Sequence, residues 1–345
     1  MYECDTSAPD PAVNRPIPPL PPVPYSLDDW KGELFWKAMD RIDHSYLRLI
    51  LRHRKLEDIQ LIFSELKDQI CPLMFNRFGA SVILDLCGVC DEQQMNQLVS
   101  SLTADAHLLM LVCLNSNGHK AVLVLLACLR TPKQKSDVIY ALQPLVAQLV
   151  NHQFGSGIIG VILRIFHKTA KETQPILDAI ADIFFEMATN LHGSLLLREL
   201  LDSKIFLLKS RPSILPKLIA DVHKLSHHPY GCVVLEGVIR IGMQDVQRDI
   251  VAQLRGGFAL MSMHKDARIV VLALIMESKE ELAPQIYNEM ASSPYFSTVL
   301  QDPFGKRVVE RAWTCTKKTS HEILPFPDLH EENVWPKKKK SRIHV

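Results

Sequence analysis

Apolar residues recur along most of this chain at the spacing of a helix. Stripes of isoleucine, leucine, valine and phenylalanine, three to four residues apart, run through residues 139–150, 176–187 and 214–225. Between residues 26 and 320 almost no segment alternates polar and apolar residues as a strand would. Each stripe is followed by a short polar turn and a second apolar helix. This order predicts an all-helical chain of stacked repeats.

A small residue marks the turn before each second helix. These turn residues are Gly79, Gly118, Gly155, Gly193, Gly231, Ala267 and Gly305. Their successive spacings are 39, 37, 38, 38, 36 and 38 residues. A small residue suits a place where the chain reverses closely against the preceding helix. Tetratricopeptide and ankyrin repeats are shorter, at about 34 and 33 residues, whereas HEAT and armadillo arrays are longer and remain the structural alternatives.

Two further positions keep register with the turn residue. Three residues before it stands a polar side chain that we predict caps the helix: Asn76, Asn115, His152, Asn190, His228, His264 and Asp302. Three and four residues after it stands an apolar pair, from Val82-Ile83 in the first repeat of the series to Val308-Val309 in the last. We predict that these pairs face the core. Composition alone would not produce this joint periodicity.

Composition and charge exclude several classes of protein. The longest apolar run of the 345 residues spans only positions 121–129, well short of the roughly 20 that a membrane helix needs, so no membrane span is predicted. Glu3 and Asp5 and the lack of an apolar segment argue against a secretory signal, and the eight cysteines are expected to be free thiols. A net charge of +1 argues against coating nucleic acid by bulk electrostatics. Any nucleic-acid site must therefore be local.

The ends of the chain differ from the repeat array. Residues 1–29 contain eight prolines and are predicted to be a disordered, extended tail, followed by a repeat domain over residues 30–320. Residues 321–345 form a basic tail in which Lys337–Lys340 could act as a nuclear address or a weak phosphate contact, the alternative being a solvated terminus. We expect a mainly cytoplasmic protein with nuclear entry through this cluster as a second location.

The turn unit resembles the repeat of the Pumilio (PUF) family. Residues 76–79, 152–155 and 228–231 each read Asn or His, any residue, an aromatic residue and glycine. Residues 250–267 look like the family's junction into its seventh repeat, where alanine commonly replaces glycine. The resemblance covers about 290 residues. It implies an all-α, curved helical-repeat solenoid of about eight repeats, the first of them degenerate and lying near residues 41–51.

The resemblance also implies how such a chain would bind single-stranded RNA. In the family, each second helix presents the first, second and fifth residue after the turn residue to one base on a concave face. We call these the reading positions. Residues four apart share a helix face and can grip one base edge, while the second position stacks on a base. The candidate RNA-binding residues are His119, Lys120, Ser156, Ser194, Arg198, Cys232, Val233, Glu236, Arg268, Lys306, Arg307 and Glu310.

These residues depart from the family's usual pattern. The Asn, Tyr and Gln set that reads uracil is absent, and no second reading position carries an aromatic ring, which supplies roughly 1–3 kcal/mol per stacked base. Glu236 and Glu310 match the guanine-type set, because a carboxylate accepts two hydrogen bonds from the guanine edge. Arg307 offers a guanidinium plane for stacking. Basic residues outnumber acidic ones at the reading positions, which predicts a positive face, the alternative being ordinary solvated charges.

No other motif carries chemistry of its own. Cys87 and Cys90 form a CxxC without a second pair at zinc-like spacing, so buried thiols are expected. The register assigns His228 to a helix cap and not to a metal. No phosphate loop, catalytic triad or pair of catalytic carboxylates stands at usable spacing. The sequence predicts neither an enzyme nor a cofactor.

Two functions of different class remain. The first is an RNA-binding protein that regulates translation and stability of messenger RNA through 3′ untranslated regions, with altered specificity and with protein partners in repression or decay. The second is a protein-interaction scaffold on the same solenoid that has lost base readout. The missing aromatic stackers favour the scaffold, and the basic side chains with Glu236 and Glu310 favour RNA binding.

Overall fold

The computed structural model describes residues 27–166, 170–201, 204–278 and 281–316. The basic tail and all but the last three residues of the proline-rich tail lie outside these ranges, so both tails stay predictions. Every regular element in the described ranges is helical. The predicted all-α helical-repeat class is therefore confirmed.

The chain divides into two compact units, Met1–Leu218 and Ile219–Val345. The helices of the first unit are α1 (Leu34–Met39), α2 (Asp43–His53), α3 (Leu56–Leu66), α4 (Ile70–Phe75), α5 (Arg77–Val89), α6 (Glu92–Thr103), α7 (Ala106–Leu114), α8 (Ser116–Cys128), α9 (Pro132–Leu142), α10 (Val146–Val150), α11 (Gln153–Ile165), α12 (Ala170–Asp182), α13 (Phe184–Ala188) and α14 (Leu191–Leu201). Helix α15 (Lys204–Ala220) contains the boundary. The helices of the second unit are α16 (Val222–Ser226), α17 (Gly231–Arg240), α18 (Gln244–Leu254), α19 (Phe258–Met263), α20 (Ala267–Glu277), α21 (Ala283–Ser292), α22 (Phe296–Gln301) and α23 (Pro303–Thr316).

Both units stack the helices that follow the turn residues side by side. In the first unit α2, α5, α8, α11 and α14 pack in that order, and α6, α9 and α12 pack in a second layer. In the second unit α17 packs on α20 and α20 on α23, with α19 and α21 behind them. Short helices such as α4, α7 and α19 connect the layers. Each unit thus presents one row of equivalent helices.

The turn glycines are required by close helix packing and not by an unusual backbone angle. A Cβ atom at Gly118 would lie 2.3 Å from the carbonyl oxygen of Val112, and one at Gly155 would lie 2.5 Å from that of Leu149. In each case the oxygen belongs to the residue six positions earlier, at the end of the preceding short helix. A side chain there would collide with backbone, which cannot rotate away.

The polar residue before each turn and the apolar pair after it have the roles that the sequence predicts. All seven polar residues accept backbone N–H groups at the start of the following helix, as Asn76 does from Phe78 and Gly79 at 2.8 and 3.1 Å. All seven apolar pairs are buried, and no member is more than 4% exposed. The cap fixes where each helix starts, and the pair fixes which face turns inward.

Buried thiols and apolar helices occupy the core of the first unit. Cys87 and Cys90 are free and buried, as predicted, and burial raises the pKa of the Cys90 thiol to about 12. Across the described residues, no single helix has the length and apolar character to cross a membrane. Helices α6 and α7 meet those criteria only as a pair bent by 95°, on length and composition alone.

Candidate nucleic-acid interface

The reading positions of the second unit lie on three neighbouring helices, α17, α20 and α23. Each helix buries its turn residue and the apolar pair behind it. The second and fifth residues after the turn are half-buried or exposed on all three helices. Because the helices pack side by side with the same positions buried, their reading positions are equivalent along the row. The row ends in the most exposed set, Lys306, Arg307 and Glu310.

Two candidate edge-reading residues direct their polar atoms to a backbone carbonyl three residues earlier. The Cys232 thiol is buried and donates to the Pro229 carbonyl oxygen at 3.3 Å. Burial raises the pKa of this thiol to about 11, which keeps it protonated at neutral pH. Ser194 is buried likewise, and its hydroxyl donates to the Leu191 carbonyl oxygen at 2.9 Å. Neither side chain therefore presents a free donor to a ligand.

The two candidate guanine-reading carboxylates differ in their surroundings. Glu236 is half-buried and forms an ion pair of 2.9 Å with Arg240, one turn further along α17. Glu310 is exposed, and no ion pair to its carboxylate occurs within the described part of the chain. Val233, the stacking position of α17, is half-buried and aliphatic. Glu310 is therefore the carboxylate that a ligand reaches without displacing a partner.

Arginine and lysine supply the positive charge of the second unit's row. Lys306 and Arg307 are exposed on α23. Arg268 on α20 is half-buried and held in place, since its Nε donates to the Lys265 carbonyl oxygen at 3.0 Å. Its guanidinium carbon lies 3.8 Å from the centre of the Phe304 ring.

The row of the first unit is less polar. Lys120 and Arg198 are exposed, and Ser156 is half-buried with its hydroxyl directed to the Gln153 carbonyl oxygen at 3.4 Å. Burial, with a smaller contribution from Lys120, lowers the pKa of His119. The His119 ring packs on Phe154 with centres 5.3 Å apart. Two reading positions of α11 are glycines and carry no side chain at all.

Sequence inspection missed that α2 follows the same plan as the later helices. Asp40 accepts the backbone N–H groups of Ile42 and Asp43 at 2.7 and 3.0 Å, the pattern of the other caps. These bonds, that of Asp43 first, lower the pKa of the Asp40 carboxyl. Asp43 thus stands at the turn-residue position, and α2 packs on α5 in the row. The equivalent reading positions are His44, Ser45 and Arg48, and the cap residue three before Asp43 was the available clue.

His228 acts as a helix cap, as the repeat register predicts. His228 caps α17 through Nδ1, which accepts from Tyr230 and Gly231 at 3.2 and 3.4 Å. No group of three or more potential metal ligands exists among the described residues.

Known proteins with the same organisation were found by sequence and by structure. No protein-family model matches the chain. Pumilio homolog 7 of Arabidopsis thaliana is 28% identical over 299 residues, covering 87% of this chain and 45% of the relative. Pumilio homolog 12 of the same organism is 25% identical and covers 88% and 51%. The chain spans about half the length of the curated relatives it matches.

Solved structures match the fold over a similar range. The Puf4 RNA-binding domain, solved with an HO endonuclease RNA 3′ UTR recognition sequence, superposes with a TM-score of 0.70 at 23% identity, covering 84% of this chain and 89% of that one. Yeast Puf5p, solved with MFA2 RNA, gives 0.69 at 16% identity, covering 81% and 82%.

The fold and the row of capped helices define a helical-repeat protein of the solenoid class. Sequence similarity to Pumilio homologs over most of its length narrows the class further. The chain is thus similar in sequence to members of the Pumilio (PUF) family and similar in fold to solved Puf domains. The prediction that the chain is not an enzyme agrees with this similarity.

Proposed function

We propose that the chain binds single-stranded RNA along the rows of helices that follow the turn residues, with altered base preference. The observation that carries the proposal is the row of α17, α20 and α23, where equivalent positions present Glu236, Arg268 and the exposed set on α23. Carboxylates and guanidinium groups at such positions suit base edges and phosphates. The structural relatives that were solved with bound RNA support the same use.

The geometry also suggests which bases are preferred. Glu310 and Glu236 occupy the same position on helices separated by one other helix, α20. If one helix reads one base, two guanines would be separated by one nucleotide. The family aligns RNA antiparallel to the protein, so the guanine at Glu310 would be the 5′ one. We therefore expect the preferred RNA to contain G-x-G, where x faces Arg268 and Leu272.

The proposal extends to the regulation of messenger RNA. The Puf4 domain was solved with a 3′ UTR recognition sequence, which supports a site of the same kind for this chain. Binding there would change translation or stability through recruited protein partners. We propose the cytoplasm as the main place of action, since translation and decay of messenger RNA occur there.

Selection from a random pool of single-stranded RNA on the full chain tests the proposal. The expected result is enrichment of sequences with G-x-G at a fixed place. Failure of any sequence to be enriched at low salt would contradict RNA binding. Enrichment of a motif without guanine would leave RNA binding standing and contradict the assigned base preference.

A scaffold for protein partners is the second candidate, and specific observations favour it. Cys232 and Ser194 are buried, and two of the three reading positions of α11 are glycines. Positions of this kind read no base edge. The same selection separates the two functions, because a scaffold without base readout enriches no RNA motif.

A further inference from the structure

Three pairs of neighbouring helices share a contact made by the first reading position. The first reading position of one helix packs against the phenylalanine that precedes the turn residue of the next helix. The three contacts are His44 on Phe78, His119 on Phe154 and Arg268 on Phe304. The two histidine rings lie 4.6 and 5.3 Å from their partners at interplanar angles of 35° and 32°. In every case a flat, π-bearing group lies on a phenyl ring.

The Arg268 contact is the most constrained of the three. Its guanidinium carbon lies 3.8 Å from the ring centre of Phe304, while Nε is bonded to the Lys265 carbonyl oxygen. One face of the guanidinium is thus covered by the ring and one edge is occupied. Among the described residues no other group accepts a hydrogen bond from this half-buried side chain, and Phe304 itself is 38% exposed.

The contacts follow a rule along the sequence. Where the first reading position is small, at Ala80, Ser156, Ser194 and Cys232, the residue before the next turn is Asn117, His192, Tyr230 and Asp266 in that order. Phenylalanine thus occurs in these pairs only where a flat group lies against it, whereas the other four pairs carry the imidazole of His192, the phenol of Tyr230 or no ring at this position. If the Arg268 position served helix packing alone, an aliphatic side chain there would fill the same space. It would also avoid the free-energy cost of desolvating the guanidinium charge.

We propose that these pairs are preassembled stacking surfaces for RNA bases, which replace the aromatic side chains missing from the second reading positions. The inference rests on the proposed function and deepens it. A base can stack on a guanidinium or imidazole plane as it does on an aromatic ring. The phenyl ring behind the plane fixes its orientation before RNA arrives, so less side-chain freedom is lost on binding. Phe304 acts as a positioning residue and Arg268 as the contacting one.

A base-by-base comparison of parent and variant tests the proposal. The probe is an RNA obtained by selection on the full parent chain, synthesised in versions that each lack one base. The variants are Phe304→Leu, which removes the ring but keeps an apolar side chain, and Arg268→Lys, which keeps the charge but loses the plane. Tyr295→Leu removes another exposed ring of the same unit and is the control. Unfolding temperatures establish that each variant is folded.

The proposal makes a position-specific prediction. In the parent, removal of the base that faces α20 should weaken binding by roughly fivefold to 100-fold. Arg268→Lys should bind the intact RNA more weakly by a similar factor and lose nothing further when that base is removed. Phe304→Leu keeps the contacting guanidinium and should lose part of the contribution of that base. Tyr295→Leu should behave as the parent.

A purely structural role of the ring gives a different result. Phe304→Leu or Arg268→Lys would then lower the unfolding temperature or the overall affinity while every missing base costs the same as in the parent, and this outcome overturns the proposal. If selection on the parent enriches no RNA, the proposed function fails and the stacking proposal fails with it.

Discussion

At the scale of single residues, Glu236 and Glu310 occupy the same reading position on their helices but differ in how accessible their carboxylates are to a base. Glu236 must exchange its ion pair with Arg240 for a base, whereas Glu310 is exposed. An ion pair on a partly exposed helix surface is worth only about 0–1 kcal/mol, so the exchange costs little. Both carboxylates can therefore take part in recognition, and Glu310 is the cleaner one to test.

Replacing Glu310 with Gln tests base discrimination. The amide keeps the shape of the side chain but replaces one acceptor by a donor, which cannot satisfy the two donors of the guanine edge. Preference for guanine over adenine at the 5′ guanine of G-x-G should fall by about 1–3 kcal/mol. Competition binding with the two RNAs measures it. An unchanged preference would remove Glu310 from base reading.

Replacing Arg307 with Ala tests a contact that does not depend on sequence. Loss of a cation that stacks on a base and binds phosphate should weaken the binding of all RNAs by the same factor. It should also reduce the slope of log affinity against log salt concentration by about 0.7–1. Binding titrations at several salt concentrations measure the slope. Arg311→Ala removes the same charge from an exposed position one turn further along α23 and outside the reading positions. An equal effect of the two variants would assign Arg307 to general electrostatics.

At the scale of helices, the cap and the glycine act together to place each reading helix against the short helix before it. The cap satisfies the first backbone N–H groups, and the glycine lets the helix approach a carbonyl oxygen of the preceding helix. Each unit repeats this combination of cap and close helix contact. The spacing of the reading positions therefore follows from local packing.

Gly155→Ala should destabilise the chain although alanine is the better helix former. Its Cβ would lie 2.5 Å from the Leu149 backbone oxygen, and overpacking of this kind costs about 1–3 kcal/mol. Gly88→Ala is the matched control, because a Cβ there meets nothing within 4 Å and should be neutral or stabilising by up to about 1 kcal/mol. Urea unfolding of both variants decides. Equal stabilities would contradict the close-approach explanation.

His228→Ala should lower the free energy of unfolding by about 1 kcal/mol, since Nδ1 of this residue accepts two N–H groups at the start of α17. His228→Asn should recover most of the loss, because asparagine makes the same two bonds at Asn76 and Asn115. His223→Ala changes an exposed histidine of the preceding helix and should have little effect. Thermal unfolding measures all three, and a loss that asparagine does not restore would argue against capping.

The parts of this fold that sequence could predict are those set by local geometry. Turn residues, caps and apolar pairs recur at a nearly fixed spacing along the sequence because each makes its contacts within one repeat. The contacts between neighbouring repeats were not predictable in this way. That Phe304 lies against Arg268, or that Cys232 is buried, depends on how one helix packs on the next. The first repeat was predicted near residues 41–51 but as a degenerate one, because aspartate, not glycine, stands at the turn position of α2.

At the scale of the whole molecule, the net charge is close to zero, and positive charge is concentrated at particular reading positions. A chain of net charge +1 gains little from general attraction to a polyanion, so affinity must come from the rows of reading positions. The second unit carries both reading carboxylates and the exposed cations of α23. Sequence-dependent binding is therefore expected mainly in that unit.

The affinity of the full chain for two RNAs that differ only at two bases tests this account most directly. One RNA carries G-x-G in an otherwise unstructured single strand, and the other carries A-x-A. At physiological salt the guanine RNA should bind at least roughly 30-fold more tightly, since each of the two base contacts contributes about 1–3 kcal/mol. Equal affinity for the two RNAs, or no binding of either at low salt, would contradict it.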